Sequence, residues 1–173
     1  MSKNQNGISL FAYIKEDWIA HGKDWTKPGF RAVGIYRFGV WRMKIRFRLL
    51  RAPFSVLYFS LFRYARNHYG IEIPYSAQIG RRVVFEHQHG IVVHGAAQIG
   101  DECIIRQGVT IGNRFLTAPL EAPVLGSRVN VGAGAKILGK VVIGNDVNIG
   151  TNAVVLHDIP DGKTAVGIPA KVK

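Results

Sequence analysis

Between residues 71 and 156 the chain places an aliphatic or aromatic residue at nearly every sixth position. The positions are Ile73, Ile79, Phe85, Val93, Ile99, Ile105, Ile111, Leu125, Val131, Ile137, Ile143, Ile149 and Val155. A period of six fits neither an α-helix nor an ordinary strand, whose side chains repeat about every 3.6 and 2 residues. It is typical of a parallel β-helix, in which each coil has three short flat sides and stacked coils bury one another's apolar residues. We therefore predict a mainly β fold of about four to five coils, with these side chains pointing inward.

Four positions after most of these residues comes a second small or apolar residue, which we expect to fill the narrower space near a corner. The set comprises Ala77, Val83, Ala97, Cys103, Val109, Val129, Ala135, Val141, Val147 and Ala153. Cys103 is the single cysteine, so no disulfide can form within the chain. Its inward position predicts an unreactive thiol.

The six-residue frame slips at two places. An eight-residue step contains the run Glu-His-Gln-His-Gly at positions 86–90, and a fourteen-residue step contains a loop at 112–124. A solenoid can extrude a loop at a corner without disturbing its stack, and such loops commonly lie on the binding face. The two slips therefore mark a candidate functional site.

Glu72 and His87 are expected near one corner, a coil apart. A coil of three sides has about eighteen residues, so the position above Glu72 is near residue 90, close to His87. Neighbouring coils are separated by about 4.8 Å. A carboxylate at that distance could accept a hydrogen bond from one imidazole nitrogen and leave the other free as a general base.

Residues 1–70 lack the six-residue period and are rich in arginine and aromatic residues, in a chain of net charge +12. We predict helices over about Ser9–Ala20, Phe30–Leu50 and Pro53–Asn67. The longest uncharged run in this segment has eleven residues, whereas a bilayer span needs about twenty. The first ten residues contain no apolar signal-peptide core.

The composition of residues 30–66 fits a segment that lies in a membrane interface, where each Lys or Arg contributes about 1 kcal/mol near an anionic leaflet. The alternative is a helical cap on the end of the solenoid with solvated arginines. Nucleic-acid binding is not expected because no RNA-binding motif or groove-reading element is present. We expect a cytoplasmic protein held peripherally on the inner face of a membrane.

Residues 71–173 resemble the hexapeptide-repeat acyltransferases, specifically the branch of serine O-acetyltransferase and its relatives in exopolysaccharide gene clusters. The resemblance rests on the six-residue repeat, on Glu86-His87 followed by Gly90-Ile91-Val92-Val93, on Val131-Gly132-Ala133-Gly134-Ala135, and on Gly167-Ile168-Pro169-Ala170-Lys171. It implies a left-handed parallel β-helix over residues 71–156, a C-terminal tail at 157–173 beside the acetyl-CoA site, and a homotrimer.

The resemblance also assigns roles to individual residues. His87 falls on the family's catalytic histidine, and Glu72 falls on the carboxylate that orients it. Acetyl-CoA is the implied co-substrate, and the residues expected to bind it are Gly112, Asn113, Ala133, Gly134, Lys163 and Lys171. Acceptor contacts are expected from Glu86, His89 and His94.

The sequence predicts no metal site, and it gives the remaining histidines no role in catalysis. The γ-class carbonic anhydrases use this fold with three histidines at a different spacing, so no metal is expected. His21, His68 and His157 are expected to be ordinary surface or turn residues.

The loop at 112–124 departs from the serine acetyltransferases at the positions that hold the acceptor. Those enzymes carry an Arg-His pair before a proline, whereas Glu121 and Ala122 precede Pro123 here. Because Glu121 would repel an amino-acid carboxylate, we expect acetyl transfer from acetyl-CoA to a hydroxyl of a polysaccharide or lipid-linked sugar, with His87 as general base. The alternatives are a serine O-acetyltransferase and, outside the enzymes, a trimeric membrane-surface scaffold.

Overall fold

The computed structural model describes residues 9–173. The prediction about a signal peptide concerned the first ten residues, and most of these lie outside the described part. Within residues 9–173, three α-helices precede fifteen short strands. The helices are α1 (Leu10–Ala20), α2 (Pro28–Arg42) and α3 (Arg48–Tyr64), and a single π-type turn, Ala65–Tyr69, follows α3. The strands are β1 (Ile71–Glu72), β2 (Gln78–Ile79), β3 (Val84–Glu86), β4 (Ile91–Val93), β5 (Gln98–Ile99), β6 (Ile104–Arg106), β7 (Thr110–Gly112), β8 (Val124–Leu125), β9 (Asn130–Val131), β10 (Lys136–Leu138), β11 (Val142–Ile143), β12 (Asn148–Ile149), β13 (Val154–Val155), β14 (Thr164–Val166) and β15 (Lys171–Val172).

The strands form three sheets, one for each side of the coil. The first sheet has the order β1-β4-β7-β10-β13, the second β2-β5-β8-β11, and the third β3-β6-β9-β12-β14, with β15 added antiparallel at its edge. Every residue predicted to point inward is buried. The predicted mainly β solenoid is confirmed: a parallel stack of five coils behind an N-terminal helical segment, consistent with a left-handed β-helix.

Stacking continues beyond the last residue of the six-residue period. Ile159 is buried and bridges to Ile143, and β14 pairs with β12 in parallel. The buried Cys103 lies inside the stack, where burial raises the pKa of its thiol to about 11, so the thiol is un-ionised at neutral pH.

The helix boundaries differ from the prediction. The second helix ends at Arg42, and the third begins before Pro53, because the two helices turn back on each other. The buried guanidinium of Arg42 lies 4.5 Å from the ring centroids of both Tyr58, on α3, and Tyr75, in the first coil. These tertiary contacts fix the turn between α2 and α3 and override the local proline signal.

The helix α2 closes the open end of the solenoid. The first coil has no coil beneath it, so the backbone N–H and C=O groups on that side need other hydrogen-bond partners. The Tyr36 hydroxyl donates to Ala77 O and accepts from Ile79 N–H, both at 3.0 Å. The Arg37 guanidinium donates to the carbonyls of Ile79 at 2.9 Å and Gly80 at 2.5 Å. The helical segment therefore acts as a cap on the β-helix.

The face of α3 that points away from the solenoid is apolar and exposed at Leu49, Leu50, Val56 and Leu57. None of the helices within residues 9–173 is both long and apolar enough to cross a membrane.

Candidate active site

His87 lies at the corner between β3 and β4, where the frame gains its extra residues. His87 and His89 have φ angles of 64° and 75°, in the left-handed region that residues other than glycine adopt at a cost. The His89 amide donates to Tyr69 O at 2.8 Å, which ties this corner to the one below it. The same conformation recurs at other corners of the coil, such as Arg82 and Glu102, so it belongs to the turns of the solenoid.

Glu72 lies on the coil below the corner that contains His87. Glu72 is half-buried on β1 and in register with Val92, whereas the His87 side chain is exposed. No hydrogen bond among the described residues joins the two side chains, and none engages the His87 ring. The imidazole is therefore accessible, while the predicted hydrogen bond from the imidazole to the Glu72 carboxylate is not formed.

Glu86 and Arg106 form an ion pair beside His87. Arg106 lies one coil above on β6, and its Nε is 3.1 Å from Glu86 Oε2. Arg106 also donates to Asn130 Oδ1 at 2.5 Å, so three successive coils are linked. Arg106 was not among the predicted site residues, because only the register of the β3–β6 pair brings it to the site.

A cavity of about 560 Å³ opens between the α1–α2 connection and the end of β3. Its lining includes His21, Lys27, Glu86 and His87. The wall is fixed where α2 begins, because a Cβ on Gly29 would lie 1.9 Å from Phe85 O. The helical segment therefore forms one side of the pocket that contains the candidate general base.

His21 was predicted to be a surface or turn residue, and this is wrong. It is 2% exposed, its Nδ1 donates to Asp17 O at 2.7 Å, and its Nε2 accepts from Phe85 N–H at 3.3 Å. Both bonds require the neutral ring with the proton on Nδ1, and burial lowers the pKa of His21. His21 thus joins α1 to the strand that ends in Glu86 and His87. Its chain distance from Phe85 explains why no local pattern could reveal this role.

Replacing His21 with leucine is expected to lower the free energy of unfolding by about 1–3 kcal/mol, because the buried Phe85 N–H loses its acceptor. Since the pKa of His21 is lowered from 6.5 in the fold, its contribution is complete above 6.5 and is lost as the pH falls towards the lowered pKa. Urea unfolding at pH 7.5 and 5.5 should therefore show a difference between wild type and variant that shrinks at the lower pH. His157→Leu, at an exposed histidine, is the control and should leave the free energy of unfolding at pH 7.5 close to that of wild type. A constant difference at both pH values would contradict the assignment.

The other predicted site residues lie at two different corners, on either side of the first sheet. Ala133 and Gly134 share the corner of His87, between the third and first sheets. His94, Gly112 and Asn113 lie at the corner between the first and second sheets, where the His94 amide donates to Ile111 O at 2.8 Å. Within one chain a strand of the first sheet separates the two groups.

Several of these residues have partners of their own. His94 Nδ1 accepts from Ala96 N–H at 3.1 Å, and Asn113 Nδ2 donates to Phe115 O at 3.0 Å. Lys163 and Lys171 are exposed near the last coil, away from His87. Among residues 9–173, no three metal-ligating side chains converge.

The fold and the site define a hexapeptide-repeat acyltransferase, and comparison with known proteins agrees. Residues 122–157 match the family model described as bacterial transferase hexapeptide (six repeats). The chain is 42% identical over 167 residues to a serine acetyltransferase of Helicobacter pylori, an alignment that covers 94% of this chain and 93% of that protein. The chain therefore belongs to the hexapeptide-repeat acyltransferases, and it is an O-acetyltransferase.

Solved structures of serine acetyltransferases share the fold of nearly the whole chain. The soybean enzyme complexed with serine matches with a TM-score of 0.82 at 30% identity, covering 95% of this chain and 70% of that one. A serine acetyltransferase in complex with CoA matches with a TM-score of 0.77 at 29% identity, covering 98% of this chain and 71% of that one.

These relatives overturn the prediction of a polysaccharide or lipid-linked sugar as acceptor, and they support neither the exopolysaccharide branch nor a membrane surface. The prediction assumed that the loop must hold the acceptor's carboxylate, so that Glu121 would repel it. Glu121 does not line the cavity beside His87, so its charge does not face an acceptor bound there. The pocket beside His87 also contains a cation, Lys27, that the sequence analysis did not consider.

Proposed function

We propose that this chain is a serine O-acetyltransferase that transfers the acetyl group of acetyl-CoA to the serine hydroxyl. The observation that carries the proposal is the similarity to the Helicobacter pylori serine acetyltransferase over almost the full length of both chains. The accessible imidazole of His87 supports it, since His87 lines a cavity of about 560 Å³, which is within the usual range for small-molecule sites.

His87 acts as the general base in this reaction. Acetyl-CoA supplies the acetyl group as a thioester. His87 accepts the proton of the serine hydroxyl as that oxygen bonds to the acetyl carbon, and the imidazolium returns the proton to the sulfur as the carbon–sulfur bond breaks. The products are O-acetylserine and CoA, so no covalent enzyme intermediate is needed. Glu72 stabilises the imidazolium once the ring turns towards it.

Glycines occupy three stacked positions at the corner of His87. A Cβ on Gly90 would lie 3.2 Å from Gly108 Cα, and a Cβ on Gly108 would lie 3.3 Å from Gly134 Cα. At these three glycines the coils pack backbone against backbone, with no room for a side chain between them. The exposed Lys163 and Lys171 are the candidate partners for the phosphates of CoA.

A homotrimer explains why the site residues lie at two corners. His87 and Ala133 occupy one corner, and Gly112 and Asn113 occupy another. A neighbouring copy can bring its second corner to the first corner of this chain, so that one site draws on two subunits. This arrangement is the one that the family resemblance implies.

The proposal is tested by measuring thiol release from acetyl-CoA with serine as acceptor, together with mass spectrometry of the product. We expect O-acetylserine and saturable kinetics with serine. Alanine has the same charged groups but no hydroxyl, so it should give no thiol release above background. Binding of acetyl-CoA by calorimetry without turnover of serine would contradict the proposal.

A further inference from the structure

The cavity beside His87 carries charges of both signs on its wall. Glu86 provides a carboxylate, whose Oε2 pairs with Arg106, and Lys27 provides a cation from the α1–α2 connection. Among residues 9–173, no hydrogen bond or ion pair engages the Lys27 ammonium. The pocket therefore offers a cation to a ligand at little cost in competing protein contacts.

The main chain of Lys27 is fixed relative to β3, the strand that precedes His87. Lys27 is the residue before Pro28, which begins α2, and Gly29 packs directly on Phe85 O. The Nζ atom lies near the turn, 3.5 Å from the position that a Cβ on Gly22 would take.

A free amino acid has a carboxylate, an ammonium and, in serine, a hydroxyl. An acceptor with both charges needs a cation and an anion placed on either side of the base. The loop supplies no cation at Glu121 or Ala122, which are the positions where the resemblance places an Arg-His pair. Among the described residues that line the cavity beside His87, Lys27 is the lysine or arginine available to bind a carboxylate.

We propose that Lys27 binds the carboxylate of the acceptor amino acid, with Glu86 facing its ammonium and His87 its hydroxyl. This assignment rests on the proposed function. It makes the helical cap part of the acceptor site and makes the chain selective for an acceptor with a free carboxylate.

The test compares serine with serinamide, which keeps the hydroxyl and the ammonium but has no negative charge. Wild type should prefer serine in kcat/KM, because a hydrogen bond between charged groups is lost with the amide. Lys27→Met should raise the KM for serine by about 10- to 100-fold and abolish the preference for serine over serinamide. The KM for acetyl-CoA should stay the same, and Lys27→Arg should recover much of the preference.

Lys23→Met is the matched control, because Lys23 is an exposed lysine of the same turn that does not line the cavity. Lys23→Met should keep the wild-type KM for serine and the wild-type preference for serine over serinamide. Both methionine variants should unfold at the wild-type temperature. A Lys27→Met enzyme with the wild-type preference for serine would overturn the assignment and leave the proposed function intact. A wild-type enzyme that turns over neither serine nor serinamide would overturn the proposed function and this assignment with it.

Discussion

Replacing His87 with alanine is expected to lower kcat for serine acetylation by about 10²–10⁴-fold, the usual contribution of a positioned general base. The ring is accessible in the cavity, and no hydrogen bond within the described residues engages it, so it is free to take the hydroxyl proton. The binding of CoA should be nearly unchanged, because the imidazole acts on the acceptor's proton. Steady-state thiol release and calorimetry with CoA measure the two quantities separately.

His87→Asn tests whether catalysis requires the basicity of the imidazole or only a polar side chain at this position. Asparagine tolerates the left-handed backbone at this position and keeps a polar side chain, but its amide cannot accept a proton at neutral pH. We therefore expect the asparagine variant to be as impaired as the alanine variant. More than a tenth of the wild-type kcat in His87→Asn would mean that another group takes the proton.

The coil could be predicted because each inward position meets the same surroundings in every coil. Ile99 lies in register between Ile79 below and Leu125 above, so one rule of size and polarity governs all three. The slips in the frame located the corner of His87 for the same reason, since any departure from a strict period is visible. The sequence could not show which side chains would bond to each other across that corner.

A helical cap was one of two alternatives from the sequence, but its contacts could not be predicted, because each is formed only once and spans a long stretch of chain. His21 reaches Phe85, and Tyr36 reaches Ala77, across gaps without any repeat. Buried charges on α1 and α2 also look like ordinary surface charges in the sequence. The acceptor was mispredicted for a related reason: Glu121 was weighed alone, while Lys27 reaches the pocket only through the packing of α2 on β3.

Removing either partner of the Asp17–Arg37 ion pair is expected to lower the free energy of unfolding by about 3–5 kcal/mol, because it leaves an uncompensated buried charge. Arg37 Nε lies 2.8 Å from Asp17 Oδ2, and their side chains are only 6% and 1% exposed. Arg37→Met and Asp17→Asn keep the volume of each site, so the loss reports charge and hydrogen bonding. Urea denaturation followed by circular dichroism measures it.

Arg128→Met is the matched control for burial. Arg128 pairs with Asp146 at 2.6 Å, a shorter distance, but both side chains are 53% exposed. Because water screens exposed pairs, this variant should unfold at nearly the wild-type urea concentration. Equal losses in Arg37→Met and Arg128→Met would show that burial does not govern the strength of these pairs.

The double variant Asp17→Asn/Arg37→Met separates charge from hydrogen bonding in the cap. It removes both buried charges, so it should be more stable than the sum of the single losses predicts. It should remain less stable than wild type, because the carbonyls of Ile79 and Gly80 lose the guanidinium that bonds them. Since α1 and α2 form one wall of the pocket, a loosened cap should also raise the KM for serine more than that for acetyl-CoA. A double variant with wild-type stability and kinetics would show that the ion pair does not dock the cap.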